Sequence, residues 1–221
     1  MSAHGKAVGG KQERCEETAQ IAMMHPRTFV AQTTPTHTNH FYKCVLRAVE
    51  FDGPALINCY TTCQPEHGVA DNMAADQARM VFDTRAFPLL IFDPDQGETI
   101  RERTSLQDNP AMKEDWWTNP KTGEVVDFID FCRSEGRFAK RFDREGNPSE
   151  TLLTARQERL ENWWVLQELA GTSTQGGLQD LSTGPGRVSS HHRPKPGWWS
   201  WGRPRGVRRG RCQLRRRRDE R

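Results

Sequence analysis

The sequence lacks the features that would place a protein in or across a membrane. No apolar run approaches the ~20 residues that span a bilayer, and the first residues, Met1 to Lys6, contain no apolar core of a signal peptide. Hydrophobic residues are scarce, at 34% of the 221 residues, and six cysteines are too few for a disulfide scaffold. These absences exclude a membrane protein and an obviously secreted one, and they predict a cytoplasmic chain whose cysteines are mostly thiols.

The net charge of +3 averages two unlike parts. Residues 172–221 carry 13 Lys and Arg against 3 Asp and Glu, whereas the preceding residues carry 19 against 26. The last 50 residues also hold eight glycines and four prolines, a composition that cannot bury enough apolar surface to offset its chain entropy. We therefore predict one domain over residues 1–171 and a disordered Arg/Gly/Trp-rich tail over residues 172–221.

Two interpretations of this tail stay open. Its arginines, with Trp198, Trp199 and Trp201 available for stacking, are typical of an arm that binds nucleic acid weakly and without sequence preference. Its basic residues follow no helical or strand spacing, which favours a tail without selected function, such as a frameshifted or mispredicted end.

Before the tail, strand-like runs alternate with segments whose apolar residues recur at three- and four-residue steps. Short connections between such elements predict an α/β fold, a parallel sheet with flanking helices, whose ligands collect at the carboxyl ends of the strands. The predicted strands are residues 28–33, 55–61 and 88–93, and the predicted helices are residues 11–24, a segment between residues 34 and 54, 70–86 and 126–142. A last helix is capped by Asn147, has Pro148 in its first position and ends at Gly171.

A short stretch with two cysteines directly follows the second predicted strand. Cys59, Cys63 and His67 are four residues apart, which in a helix would place three soft ligands on one face and suggest zinc or an iron–sulfur cluster. Pro65 and Gly68 argue against a helix, and an extended chain would separate Cys59 from Cys63 by about 13 Å. We therefore expect Cys59 to be a small core residue of the strand.

Several segments spread along the chain together resemble one enzyme family. The segments are Phe-Asp-Gly-Pro-Ala at 51–55, Tyr-Thr-Thr-Cys at 60–63, residues 86–94, Ser-Leu-Gln at 105–107 with Asn-Pro at 109–110, and Glu-Gly-Arg-Phe at 135–138. No single segment is highly specific, and their shared order carries the resemblance. By these segments the chain from residue 6 to residue 171 is similar to the carboxyl-terminal half of the thiamine-diphosphate-binding domain of the pyruvate:ferredoxin (2-oxoacid:ferredoxin) oxidoreductases.

The resemblance implies an oxidoreductase that oxidises a 2-oxoacid, with pyruvate expected, to acyl-CoA and carbon dioxide. The family uses thiamine diphosphate, Mg²⁺ and [4Fe–4S] clusters, and it passes electrons to ferredoxin or flavodoxin. Coenzyme A and the enzyme's remaining domains or subunits are the other implied partners. By this resemblance Cys63, in the Tyr-x-x-Cys turn, is the fourth ligand of a [4Fe–4S] cluster, and no catalytic residue is assigned.

Two of the family's elements have no counterpart in this sequence. It contains no Gly-Asp-Gly, which the family uses to hold magnesium and the diphosphate, and no Cys-x-x-Cys for the other cluster ligands. We therefore expect an amino-terminally truncated fragment that binds no cofactor by itself and is inactive alone. The alternatives are a nucleic-acid-binding protein acting through its tail, or an inert remnant.

The remaining candidate residues are expected to be structural. They are the histidines His25, His37, His40 and His67, taken as solvated or hydrogen-bonded; Asp71, Asp76 and Asp83, taken as the wet face of a helix; Cys15, Cys44 and Cys132, taken as helix residues; and Cys212, in the tail.

Overall fold

A four-stranded sheet organises the chain in the computed structural model, which describes residues 14–173. Its strands, in the spatial order β2-β1-β3-β4, are β1 Phe29–Thr33, β2 Ala55–Cys59, β3 Leu90–Phe92 and β4 Thr104–Ser105. β1 and β2 are parallel, with Phe29 opposite Ala55 and Thr33 opposite Cys59. A separate hairpin joins β5 Trp117–Thr118 to β6 Val125–Val126.

Helices cover both faces of the sheet, so the predicted α/β class with flanking helices is confirmed. The α-helices are α1 Thr18–Met23, α2 Thr38–Glu50, α3 Gln64–His67, α4 Ala74–Asp83, α5 Ile100–Arg103, α6 Phe128–Arg133 and α7 Glu150–Leu169. Short 3₁₀ helices lie at Asp71–Met73, Pro94–Gln96 and Gly136–Arg141.

The two-residue period of β1 distributes its side chains between two cores. Phe29 and Ala31 pack with Cys44 of α2 on one face. Val30 packs on the other face with α1 and with Trp163 of α7. Since all five residues of β1 are buried, this strand is the centre of the structure.

β3 runs against the direction that the alternating pattern predicts. It is antiparallel to β1, with Gln32 opposite Leu90, and β4 is antiparallel to β3. The reason lies in α4, which packs against α6 in a third core around Val81, Phe82 and Ile129. Because α4 does not return the chain to the end of the sheet where β1 and β2 begin, β3 starts at the end where β1 and β2 finish and runs in the opposite direction.

Helix boundaries differ from the sequence pattern mainly where capping decides them. α7 begins after the N-cap residue Ser149, and not at Asn147. The backbone N–H of Asn147 instead donates to Asp143 Oδ1 at 2.7 Å within a turn. The predicted end is confirmed, since Gly171 adopts a left-handed φ of +67° directly after the C-cap residue Ala170.

Two further predicted helices are shorter than expected. Residues 126–142 divide into α6 and the 3₁₀ helix Gly136–Arg141. In the described part of the segment 11–24, helix begins only at Thr18, so Cys15 precedes α1 and is exposed. Among residues 14–173, none of the helices combines the length and the apolar composition of a membrane-spanning segment.

The predicted boundary at residue 171 stays a prediction. The described residues end two positions after it, and Cys212 and the tryptophans Trp198, Trp199 and Trp201 lie outside them.

Candidate functional site

After β2 ends at Cys59, residues 60–63 are not helical, and a single helical turn, α3, follows them. Cys63 is the N-cap residue of α3, and the N–H of His67 donates to its carbonyl at 2.8 Å. Pro65 stands in the first turn, where a missing N–H costs nothing. Gly68 ends the helix at a φ of +64°. The proline and glycine therefore delimit one helical turn, Gln64–His67, and the prediction that Cys59, Cys63 and His67 do not share a helix is confirmed.

Cys59, at the end of β2, and Cys63, before α3, are both exposed. The expectation that Cys59 is a core residue is therefore wrong. β2 lies at the edge of the sheet, and its first and last residues are exposed. No group of three Cys, His, Asp or Glu side chains in residues 14–173 could hold a metal ion, so Cys59, Cys63 and His67 do not make a metal site by themselves.

A buried carboxylate fixes the position of the turn that carries Cys63. Glu135 is 1% exposed. Its Oε1 accepts a hydrogen bond from the Tyr60 hydroxyl at 3.1 Å and lies 3.3 Å from His67 Nδ1. Arg137 Nε donates to the other carboxylate oxygen. Glu135 thus contacts residues on both sides of Cys63, three positions before it and four after it.

The backbone closes the same contact. The N–H of Gly136 donates to the Gly68 carbonyl at 3.3 Å. A Cβ added at Gly68 would meet Gly136 Cα at 2.9 Å, so a larger residue at position 68 would push the two segments apart. The Glu-Gly-Arg-Phe segment and the Tyr-x-x-Cys turn, which the sequence shows 75 positions apart, are therefore one structural unit.

Burial favours the uncharged forms of Tyr60 and His67 beside the buried Glu135 carboxylate. Burial, with Glu135 nearby, raises the pKa of Tyr60, so its hydroxyl stays protonated as a donor. Burial and the Arg137 guanidinium lower the pKa of His67, although Glu135 opposes them. His67 is therefore a hydrogen-bonded histidine, as predicted.

A second pair of segments, the start of β3 and the loop that carries Asn109, meets near the carboxyl end of β1. The Asn109 side chain accepts from the N–H of Leu89 at 2.8 Å and donates to the Leu89 carbonyl at 2.7 Å. Gln32 Nε2 donates to the Pro88 carbonyl at 2.9 Å and Gln32 Oε1 accepts from Asn58 at 3.1 Å. Polar side chains thus connect the carboxyl ends of β1 and β2 with the start of β3.

Arg85 supports the loop that carries Asn109, and nothing in the sequence pattern marks it. It is fully buried with a φ of +57°. Its guanidinium lies 3.9 Å from the centre of the Trp163 ring and donates to the carbonyls of Pro110 and Ala111 at 2.8 and 3.0 Å. Burial lowers the pKa of Arg85 to about 10, so the side chain stays cationic at neutral pH.

An open groove of about 580 Å³ lies beside these loops, between the start of α2 and the end of α4. Asp83 lines it and is 9% exposed, which corrects its expected place on a wet helix face; Asp71 and Asp76 are exposed as expected. Burial raises the pKa of Asp83 to about 6, against the opposing charges of Arg79 and Arg85. His37 also lines the groove and caps α2, accepting from the N–H of His40.

The remaining histidines and cysteines are structural or exposed. His40 Nδ1 lies 2.9 Å from Thr33 Oγ1 and 3.5 Å from Cys44 Sγ. Burial lowers the pKa of His40 to about 4 and raises the pKa of Cys44 to about 11, so both are uncharged at neutral pH. Cys132 is buried in α6, and His25 is exposed.

No family model matches this chain. The pyruvate-flavodoxin oxidoreductase of Rhodospirillum rubrum is 28% identical over 171 residues, which are 76% of this chain. The pyruvate synthase subunit PorB of Thermotoga maritima is 21% identical over 160 residues, or 72% of this chain. An Escherichia coli protein named "Probable pyruvate-flavodoxin oxidoreductase" is 29% identical over 105 residues, 47% of the chain.

The resemblance to the pyruvate:ferredoxin oxidoreductase family is confirmed. The chain spans 13% of the length of the Rhodospirillum rubrum protein, 9% of the Escherichia coli protein and 43% of the Thermotoga maritima subunit. These relatives are pyruvate oxidoreductases by name, and they do not support the nucleic-acid-binding alternative.

Proposed function

We propose that this chain forms part of a pyruvate-oxidising 2-oxoacid:ferredoxin oxidoreductase, and that Cys63 is its one ligand to a [4Fe–4S] cluster. In this proposal the chain corresponds to the carboxyl-terminal half of the enzyme's thiamine-diphosphate-binding domain. The proposal follows from the similarity to pyruvate oxidoreductases over three-quarters of the chain and from the geometry of the turn at the end of β2.

The exposed thiol of Cys63 on a fixed turn is the observation that carries the proposal. Cys63 is exposed while the residues around it are held by the buried carboxylate of Glu135. A ligand contributed by one segment to a cluster completed by another needs both properties, since the sulfur must be reachable and its position must be fixed.

The described residues do not fit a complete cluster site. A [4Fe–4S] cluster takes four thiolates, and residues 14–173 bring together no three metal-ligating side chains. The sequence also lacks the Gly-Asp-Gly stretch for Mg²⁺ and diphosphate. In our proposal the other ligands and the thiamine diphosphate clamp come from the rest of the enzyme, and this chain binds none of these groups tightly by itself.

The proposed role of the chain is therefore positioning. Thiamine diphosphate supplies the carbanion chemistry of oxidative decarboxylation when it is bound. The chain's own residues hold the Cys63 thiol at the carboxyl edge of two parallel strands, where α/β sheets present groups to ligands. Coenzyme A is the proposed acyl acceptor, flavodoxin or ferredoxin the proposed electron acceptor, and a cytoplasmic location stays a prediction.

A chimera tests this function. The part of this chain that aligns with the Thermotoga maritima subunit would replace the 160 aligned residues of that subunit, assembled with the other subunits of its enzyme. Cys63→Ser is expected to lower the iron content and to suppress pyruvate-dependent acceptor reduction. Cys59→Ser is the matched control, because Cys59 is also exposed and lies four residues before Cys63, at the end of β2, and it is expected to leave both measurements unchanged. Full iron content in the Cys63 variant would refute the assignment.

A further inference from the structure

The outward side of α2 is apolar and is left uncovered by the other described segments. α2 packs on the sheet through His40 and Cys44, which are buried. With 100° per residue, Tyr42, Leu46 and Val49 lie on the opposite side of the helix, and they are 61%, 59% and 81% exposed. We name these three residues the α2 stripe. A helix with apolar residues on two opposite sides is typical of one packed between two layers, so the α2 stripe is expected to contact a partner.

The spacing of the α2 stripe is that of a helix that packs against another helix. Tyr42 and Leu46 are four residues apart, and Leu46 and Val49 are three apart. Asn39, exposed three residues before Tyr42, continues the same line. Alternating steps of three and four residues form the contact line of a two-helix coiled coil. The partner that this pattern favours is therefore a second helix.

Two opposite charges lie on one flank of the α2 stripe, on either side of Leu46. Lys43 is three residues before Leu46 and Glu50 is four residues after it, and both are exposed. Because they are seven residues apart, they share a flank of the helix and lie about 10 Å apart along its axis, too far to pair with each other. Within residues 14–173, neither forms an ion pair.

A second copy of α2, packed antiparallel, fits both the stripe and the charges. A two-fold axis beside Leu46 places the two Leu46 side chains together and packs Tyr42 against Val49 of the second copy. The same axis brings Lys43 opposite Glu50 of the second copy. Since a two-fold contact repeats every pair, Glu50 lies opposite Lys43 of the second copy as well. The helix is thus self-complementary in both shape and charge.

A parallel arrangement of the two helices does not use these charges. In a parallel pair, Lys43 would lie beside Thr38 of the second copy and Glu50 beside its Val45. Both charges would then stay unpaired at the rim of the contact. The position of the two charges therefore selects the antiparallel pair.

We propose that the chain forms a two-fold symmetric dimer through the α2 stripe, with Lys43–Glu50 ion pairs on its rim. The charges placed on either side of Leu46 carry this proposal, because they complement a second copy of the same helix. One helix from each copy buries less than the ~1,200 Å² of a standard stable interface, so we expect a weak dimer. The inference goes beyond the proposed function and does not depend on it, since association is measured without iron.

Sedimentation velocity of the full 221-residue chain tests the association. Across a range of about 1 to 200 µM the chain is expected to shift from monomer to dimer, as weak interfaces do. Leu46→Lys is expected to leave it monomeric, because two like charges would meet on the axis. The melting temperature of this variant is expected to match the original, since Leu46 is 59% exposed. A chain that stays monomeric throughout, or a Leu46→Lys variant that still dimerises, would overturn the proposal.

Charge exchange tests the antiparallel pairing. Lys43→Glu and Glu50→Lys are each expected to weaken dimerisation about tenfold, because each turns both rim pairs into like charges. An equimolar mixture of the two variants is expected to dimerise again, since every lysine then faces a glutamate. Glu124→Lys, an exposed glutamate in the β5–β6 hairpin, makes the same charge change and is expected to have no effect. A mixture that stays monomeric would contradict the pairing.

Two other partners give different results. Self-association that survives Leu46→Lys and disappears when residues 174–221 are deleted would assign it to the end of the chain. A chain that is monomeric alone, with a Leu46→Lys variant that lowers the melting temperature of the chimera described above by several degrees, would assign the α2 stripe to the rest of the oxidoreductase. Either result would overturn the proposed partner. Iron content is measured separately on the chimera, so a failed cluster assignment leaves these outcomes unchanged.

Discussion

Replacing Glu135 is expected to loosen the turn that carries Cys63 more than any other single change near the site. The carboxylate is 1% exposed and accepts from Tyr60 and Arg137, with His67 at 3.3 Å. Glu135→Ala leaves the half-buried Tyr60 hydroxyl without its acceptor, which costs about 1–3 kcal/mol. The Arg137 side chain is 30% exposed, and its guanidinium is hydrated when Glu135 is removed. Losing this ion pair therefore adds only about 1 kcal/mol to the cost. We expect a destabilisation of about 3 kcal/mol.

The assay is urea unfolding at pH 7, read as a shift of the midpoint at constant slope. Tyr60→Phe removes only the hydroxyl and is expected to cost about 1 kcal/mol. The double variant is expected to cost less than the sum of the two, because both remove the same hydrogen bond. Glu124→Ala, an exposed carboxylate in the β5–β6 hairpin, is the control and is expected to change little.

A stability within about 0.5 kcal/mol of the original chain for Glu135→Ala would refute this reasoning. It would mean that the cost of burying the carboxylate equals what its partners return, as occurs for some buried ion pairs. The position of Cys63 would then depend on contacts that do not involve the Glu135 carboxylate, such as those between Gly68 and Gly136 and between Thr62 and Ala74.

Three further predictions concern pH and the tail. The pKa of His40 is lowered to about 4, so the folded chain binds a proton at His40 more weakly than the unfolded chain does. The contribution of His40 to stability is therefore complete above pH 6.5 and is lost as the pH falls toward 4. His40→Gln should reduce this loss in acid titrations. The pKa of Asp83 is raised to about 6, so its contribution to stability has the opposite pH dependence and is lost as the pH rises from about 4 to 6. Asp83→Asn should therefore raise the melting temperature at pH 7.5 and change it little at pH 3.5. Deleting residues 172–221 should abolish weak, salt-sensitive DNA binding and leave the circular dichroism of the domain nearly unchanged; DNA binding that persists without the tail would contradict that assignment.

The sequence was sufficient to predict the elements whose pattern is local. β1 and β2, the helix between them and the end of the last helix at Gly171 follow from apolar spacing and from glycine's access to positive φ. The order of the family segments also predicted the relatives that the comparisons found. The role of Cys63 stays a prediction, because ligands contributed from elsewhere leave no local pattern.

Only the tertiary structure decided the features that depend on distant contacts. The direction of β3 depends on α4 packing against α6, and the exposure of Cys59 depends on β2 lying at the edge of the sheet. The pairing of Glu135 with Tyr60 joins residues 75 positions apart. Local propensity sets which segments are strands or helices. Which residues are buried, and which charges meet, is set by the chain's other segments, and these become neighbours only when the molecule folds.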